Sequence, residues 1–422
     1  MRFLCVGTLF TALCSIAVFG QSSNSFLIRD VRVFDGQIVL ERRNVVVDAG
    51  KVTQITEAKL NLPGLRVVDG QGRTLLPGLF DAHVHISEDI DGTLRQALRF
   101  GVTTVLDMFN SGERLRRMKQ SEAEDSPDVA SLRTAGVGAS VPGGHPSRFG
   151  GPPIPTITKP EQAQAFVDAR VAEGSDYIKI IYDDNSEFGE SERFPALDRE
   201  TLQRLVQAAH KRHKMAVAHI LSEQQAREAI AAGVDGIVHM FVGDNARSDF
   251  GQFAAGHHVF VVPTLTTLNM ICGKSTGPAV LADPHLQPYI DAGWHESLRV
   301  PPDASRNHLC KASDDGIRQL IAAHVPILTG TDSPVPGNTY GASVHAELEL
   351  LVEEGLTPAQ ALAAATSLPA KSFHISDRGF IRPGMRADLV LVEGNPTQDI
   401  LATRSIVDVW KRGVRVQRQT AK

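Results

Sequence analysis

Leu76–Ile86 reads LPGLFDAHVHI, and its reading decides the fold. Pro77 and Gly78 are turn residues that deliver the chain into the apolar run that follows. In a strand, side chains two apart point to the same face, so His83 and His85 converge on one point, as two metal ligands must. Two surface histidines on an edge strand is the competing reading. The apolar flanks Leu79, Phe80, Val84 and Ile86 argue against it, because they read as a buried parallel strand.

Outward from this segment, apolar strand-like runs alternate with helix-like runs. Leu79–Ile86 precedes a helix at Leu94–Phe100, Thr103–Met108 precedes Glu113–Gln120, and Ala130–Gly136 precedes Glu161–Glu173 across the Gly/Pro-rich loop SVPGGHPSRFGGPPIP. Tyr177–Tyr182 precedes Arg199–His213, Met215–Ile220 precedes Glu223–Ala232, and Ile237–Met240 precedes a short helix. Val259–Leu265 opens a long excursion, and Pro326–Asp332 precedes Ser343–Glu354. Such alternation implies a parallel sheet, and the repeat predicts an α/β fold, a (β/α)8 TIM barrel over residues 76–382. The two ends differ in style. FLIRDVRVF, NVVVDAG, KVTQI and RVVDG near the start, and ADLVLVEG and SIVDVWKRGVRV near the end, are short strands separated by turn dipeptides. Residues 25–75 and 383–418 are therefore expected to form one composite β-sandwich.

A barrel places its chemistry at the C-terminal ends of its strands. Lys179 lies in DYIKIIY, His219 ends AVAHI, His239 ends GIVHM and Asp332 ends LTGTDS. A lone histidine on an apolar strand is usually a satisfied core residue, and a lone lysine there snorkels or pairs with an acid. Their coincidence at successive strand ends instead offers imidazoles, a carboxylate and an amine to one point, a donor set suited to zinc and similar ions. A lysine between isoleucines is costly to bury unless it is paired or modified.

The 422 residues carry 43 Lys plus Arg against 48 Asp plus Glu, a formal charge of -5. That balance offers no basic surface for nucleic acid and no polybasic patch for a membrane. Arg2, the apolar Phe3–Phe19 and then Gly20 read as a secretory signal over residues 1–20, cut near Gly20, which predicts a periplasmic or secreted protein without stable membrane insertion. Cys272 and Cys310 would remain in an oxidising compartment, as a disulfide or as two buried thiols.

The ordered set PGLFDAHVH, GVTTVLDM, DYIKI, VAHI, GIVHM and LTGTDSP resembles the amidohydrolase superfamily of metal-dependent hydrolases. Within it the chain is most similar to a binuclear branch of imidazolonepropionase-like and Xaa-Pro dipeptidase-like proteins, related to ochratoxin-degrading amidohydrolases. The resemblance implies two divalent ions, most simply Zn2+. His83, His85 and Asp332 would hold the inner one, and His219 and His239 the outer one. Lys179 would carry a carbamate derived from carbon dioxide (N6-carboxylysine) that bridges them. It implies that Asp332 moves the proton during hydrolysis. His145 in the Gly/Pro loop is a candidate electrophilic and substrate-binding group; Tyr182 and Ser87 are candidate substrate contacts, and Asp107 a supporting residue. His345 reads better as a packing residue. The implied substrate is a small-molecule or dipeptide-like amide, cleaved at a peptide or N-acyl amino-acid bond, and homo-oligomerisation is common in similar proteins. The alternative is a mononuclear cyclic amidohydrolase or deaminase, such as imidazolonepropionase-like ring opening. There a Glu three residues after the fifth-strand histidine is expected; here Ser222 holds that place and Glu223 follows it.

Overall fold

The computed structural model of the protein describes residues 24–421. The expected signal segment, 1–20, lies outside them.

Both ends of the chain build one sheet. Its strands run in the order Val414–Arg415, Ile406–Lys411, Leu389–Glu393, Arg73–Pro77, Phe26–Phe34, Val39–Asp48 and Lys51–Thr56, with Arg66–Asp69 also beside Phe26–Phe34. The tight turn between Val39–Asp48 and Lys51–Thr56 uses Ala49 (φ 48°) and Gly50 (φ 78°), the left-handed pair that matches strand twist. A Cβ on Gly50 would sit 2.6 Å from the Arg412 carbonyl, so glycine also admits the C-terminal strands. The sheet curls. Phe26 and Trp410 lie on strands three ladders apart, roughly 14 Å in a flat sheet, yet their rings stack with centroids 5.1 Å apart. Val52 N–H donates to the Met385 carbonyl (2.9 Å), bringing the opposite edge round to the C-terminal segment. The enclosed core contains Phe26, Val31, Val45, Leu389 and Trp410. The two ends thus share one continuous, curled ladder.

Between them lies a TIM-barrel-like α/β core. Leu79–Val84, Val102–Asp107 and Ser131–Thr134 form one parallel sheet. Ile178–Ile181, Ala216–His219, Gly236–Val238 and Phe260–Val262 form another. Single parallel bridges pair Ala139 with Ile180, Val261 with Ile327, and Val84 with Ser333. The expected eighth strand, Pro326–Asp332, is therefore not a regular strand. It is an extended segment whose Thr329 carbonyl accepts from Ala82 N–H (2.8 Å) and whose Asp332 N–H donates to the His83 carbonyl (2.7 Å). The left-handed backbone at Asp332 (φ 60°) breaks the pleat there.

Two apolar layers separate inside from outside. Phe80, Ala82, Leu106, Tyr177, Val217, Val238, Val262 and Leu328 fill the interior. Leu132, Ile178, Ile180, Ala218, Ile237 and Val261 pack under the helices. Arg199–Lys211 is typical of those helices: Asp198 accepts from Thr201 N–H (2.7 Å) as N-cap, and Leu202, Leu205, Val206 and Ala209 form the buried stripe. The excursion after Phe260–Val262 is fastened by a Cys272–Cys310 disulfide (Cα–Cα 5.7 Å). By loop-closure entropy such a link stabilises by about 4 kcal/mol. Among the described residues no helix is long and apolar enough to cross a membrane.

Candidate metal centre

Strand alternation aims part of the centre and local irregularities aim the rest. Tyr177 and Val217 face the interior, so Lys179 and His219, two residues on, face it too. Val238 also faces the interior, and an undistorted strand would turn His239 outward. The left-handed backbone at His239 (φ 73°) brings its ring back. On the first strand Phe80 and Ala82 are interior, and a register shift between Asp81 and Val84 sends Val84 outward and His83 and His85 inward. Left-handed backbone at non-glycine residues costs energy and concentrates at functional sites.

The imidazoles form a chain. His83 Nε2 and His85 Nε2 lie 3.2 and 3.0 Å from Asp332 Oδ1. Ring centroids run 4.7 Å from His83 to His239, 4.5 Å from His239 to His219, and 4.5 Å from His219 to His145. Burial pushes His83 down to about 3 and His145 to about 3, and holds His239 well below the ordinary histidine range. These rings are therefore neutral, the form that ligates cations. Burial raises the Asp332 carboxyl, but His83, His85 and His239 outweigh it and keep it ionised. Lys179 is 2 % exposed; burial pulls its amine down to about 7 against the opposing pull of Asp332 and Asp107.

The donor set fits bound cations. Lys179 Nζ and both ring nitrogens of His83 are buried with no hydrogen-bond partner; the His83–Asp332 contact lacks hydrogen-bond direction. Buried polar atoms without partners are costly; a cation would satisfy one ring nitrogen of His83, and carboxylation with a cation would satisfy the Lys179 amine. His83, His239 and Asp332 bring ligating atoms within 4.8 Å of one another, as do His145, Asp183 and His219.

Buried polar groups hold these residues in place. His239 Nδ1 bonds Thr264 Oγ1 (2.7 Å), leaving Nε2 for the centre. Asp107 accepts from Ile86 N–H (3.0 Å) and from the Thr134 hydroxyl (2.6 Å), fixing the chain beside His85 as the sequence suggested. Tyr340 donates its hydroxyl to the His85 carbonyl (2.6 Å). Asp81 accepts from the backbone and hydroxyl of Thr331 (3.0 and 2.7 Å), tying the first strand to the segment that carries Asp332.

The structure brings His145 to the cluster, and with it Asp183, which sequence reading missed. Asp183 is 3 % exposed, and its Oδ2 lies 3.4 Å from His219 Nε2 and 3.9 Å from His145 Nδ1. Burial raises its carboxyl, while His219 and the Asn185 N–H more than offset this. Tyr182 is not brought to the centre. Its ring lies in the layer under the helices and its hydroxyl donates to Glu228. Tyr182→Phe is accordingly expected to leave kcat/KM within about threefold and to cost about 1–2 kcal/mol in unfolding, read by parallel kinetics and melting. Ser87 follows His85 by two residues, and its hydroxyl is taken up by Thr93 (2.6 Å). His345 bonds Thr403 and the Phe100 carbonyl (3.0 and 3.1 Å), away from the centre. Ser222 caps its helix by accepting from Gln225 N–H (3.1 Å), and Glu223 is held by Arg227 (2.7 Å) and by the Arg247 N–H (2.8 Å).

A sequence model of the amidohydrolase family matches residues 74–417. Ochratoxinase of Aspergillus niger is 23 % identical over 437 aligned residues, covering 88 % of this chain and 82 % of the relative. Imidazolonepropionase of Geobacillus kaustophilus is 22 % identical over 399, covering 85 % and 83 %. Among solved structures, a Xaa-Pro dipeptidase with bound methionine in its active site superposes with a TM-score of 0.74 at 24 % identity, covering 93 % of this chain and 100 % of that one.

Proposed function

The chain belongs to the amidohydrolase family, and on that premise we propose that it hydrolyses a peptide or N-acyl amino-acid bond at a centre for two divalent ions. The observation that carries this reading is Lys179, a buried amine without a partner among histidines and an aspartate. An amine pulled down to about 7 has a substantial neutral fraction at physiological pH, the form that adds to carbon dioxide. The N6-carboxylysine so formed replaces a cationic head by an anionic one with two oxygens. His83, His85 and Asp332 would hold the inner ion, His219 and His239 the outer, with Lys179 between. When bound, the ions supply water acidified towards neutral pH and a Lewis acid for the scissile carbonyl. Asp332, ionised and beside both His83 and His85, accepts a proton and returns it to the departing nitrogen. His145 stands over the outer side, its ring centroid 4.5 Å from that of His219, as a contact for a substrate oxygen there. The deaminase-type alternative needs an acid where Ser222 caps a helix, and the neighbouring Glu223 is held by Arg227.

The same reading takes the bridged sheets as a closed (β/α)8 barrel and the curled terminal sheet as its sandwich-like companion. Residues 1–20 are read as a signal for export, which the Cys272–Cys310 disulfide supports, since such bonds persist in oxidising compartments. Protein reconstituted with Zn2+ and bicarbonate is expected to hold two ions per chain and to hydrolyse members of a dipeptide and N-acyl amino-acid library. Fewer than one ion per chain by elemental analysis would sink the proposal.

A further inference from the structure

Asp183 has no part in the ligand set just described, yet it is among the most enclosed carboxylates of the interior. It lies two residues past the end of the Ile178–Ile181 strand, on the face shared by Lys179. One of its oxygens, Oδ1, is occupied by the Asn185 N–H (2.8 Å). The other, Oδ2, faces two imidazoles: His219 Nε2 at 3.4 Å and His145 Nδ1 at 3.9 Å. No Lys or Arg pairs with this carboxylate among the described contacts. A buried carboxylate without a cationic partner is costly unless imidazole N–H groups turn towards it.

The two outer-side histidines are oriented differently. His239 has its Nδ1 on Thr264, so Nε2 is its ligating atom. His219 has Nε2 towards Asp183, so Nδ1 is the nitrogen left for a cation. A carboxylate behind a ligating histidine fixes tautomer and ring angle and makes the imidazole more basic. Thr264, being uncharged, gives His239 only the first of these effects. The outer half of the centre is therefore built asymmetrically, with its negative second partner on the His219 side.

We propose that Asp183 is the positioning residue of the outer cation site: its Oδ2, 3.4 Å from His219 Nε2, takes that N–H and so presents His219 Nδ1 to the ion, with His145 Nδ1 facing the same oxygen at 3.9 Å. The inference rests on the two-ion reading above. In this proposal Asp183 acts through His219; its carboxylate also lies within 4.8 Å of ligating atoms of His219 and His145, so direct ligation is the competing role.

The test is a Co2+ titration of the metal-free full chain, followed by visible absorption and by competition with a chelator, on wild type, Asp183→Ala and Asp183→Asn. Asp183→Ala is expected to weaken the second ion roughly 10–100-fold and leave the first within about threefold. Asp183→Asn keeps an oxygen for His219 but no charge and should fall between, with an altered absorption band for the second ion. Should Asp183→Ala not fold, Asp183→Asn carries the test alone, because Asn preserves the shape and the bond from Asn185. A merely structural role would weaken both ions together or lower the melting temperature without splitting the two affinities, and either result overturns the proposal. Unchanged affinity for the second ion in a variant whose wild type binds two overturns this proposal and leaves the two-ion reading standing. A wild type that takes up one ion overturns both.

Discussion

Lys179→Met is expected to lower kcat/KM by about a thousandfold or more, while making the metal-free protein more stable. The two effects have one origin. Lys179 Nζ is buried and makes no hydrogen bond, so its removal orphans no partner. Methionine fills a similar volume and removes an amine that folding must desolvate. The sign of the pH dependence follows. Burial lowers the folded amine from 10.5 to about 7. Between about 7 and 10.5 the unfolded chain binds a proton that the folded chain does not, so the stability of metal-free, carbon-dioxide-free protein rises with pH across that window. The slope is at most about 1.4 kcal/mol per pH unit, and the penalty is complete below about pH 7. In Lys179→Met this slope disappears, as urea midpoints at pH 7 and 9 would reveal. On the proposed two-ion reading, the loss of activity follows from the loss of the carboxylated side chain which that reading requires. A variant with wild-type rates would refute that centre.

Asp332→Asn is the second large effect, with kcat expected to fall by about 10^3 to 10^4 and KM to change far less. Asparagine is the informative replacement because position 332 has φ 60°, a conformation that Asn and Asp tolerate better than other side chains. The backbone, and with it the Asp332 N–H bond to the His83 carbonyl, is retained. What is lost is the anion within 3.2 Å of both His83 and His85 and the ability to carry a proton. Steady-state kinetics together with metal content separate these losses. If Asp332→Asn keeps more than a tenth of wild-type kcat, proton transfer lies elsewhere.

The residues of the centre were legible because strand position is a two-state variable, inward or outward, and apolar runs display it. Lys179 and His219 follow from that rule alone. Tyr182 shows the rule neglected: it lies three residues past Lys179 and so on the opposite face, whereas Asp183, four past, shares the inward face. His239 and Asp332 are inward only because their backbones turn left-handed, and nothing in the local sequence announces that. The same break makes Pro326–Asp332 an extended bridged segment in place of a ladder strand. Supporting groups such as Thr264, Tyr340 and Asp81 were not legible, because each acts across elements far apart in the chain. The disulfide was equally out of reach, since it depends on a Cα separation that spacing does not encode.

The shared terminal sheet bears on how the molecule is made. Arg73–Pro77 leads directly into the strand of His83 and His85, and its antiparallel partner is Leu389–Glu393. During synthesis that partner does not yet exist, and at roughly 5–20 residues per second the edge stays open for about 15–60 s. Meanwhile Leu75, Leu76 and Pro77 present unpaired backbone that a second nascent chain can bind. The ribosome therefore releases the metal-ligating strand before its flank can be sealed. Yield on expression should depend on how well that interval is chaperoned, and deletion of residues 389–422, which removes the partner strand, should produce aggregates before it produces an inactive enzyme.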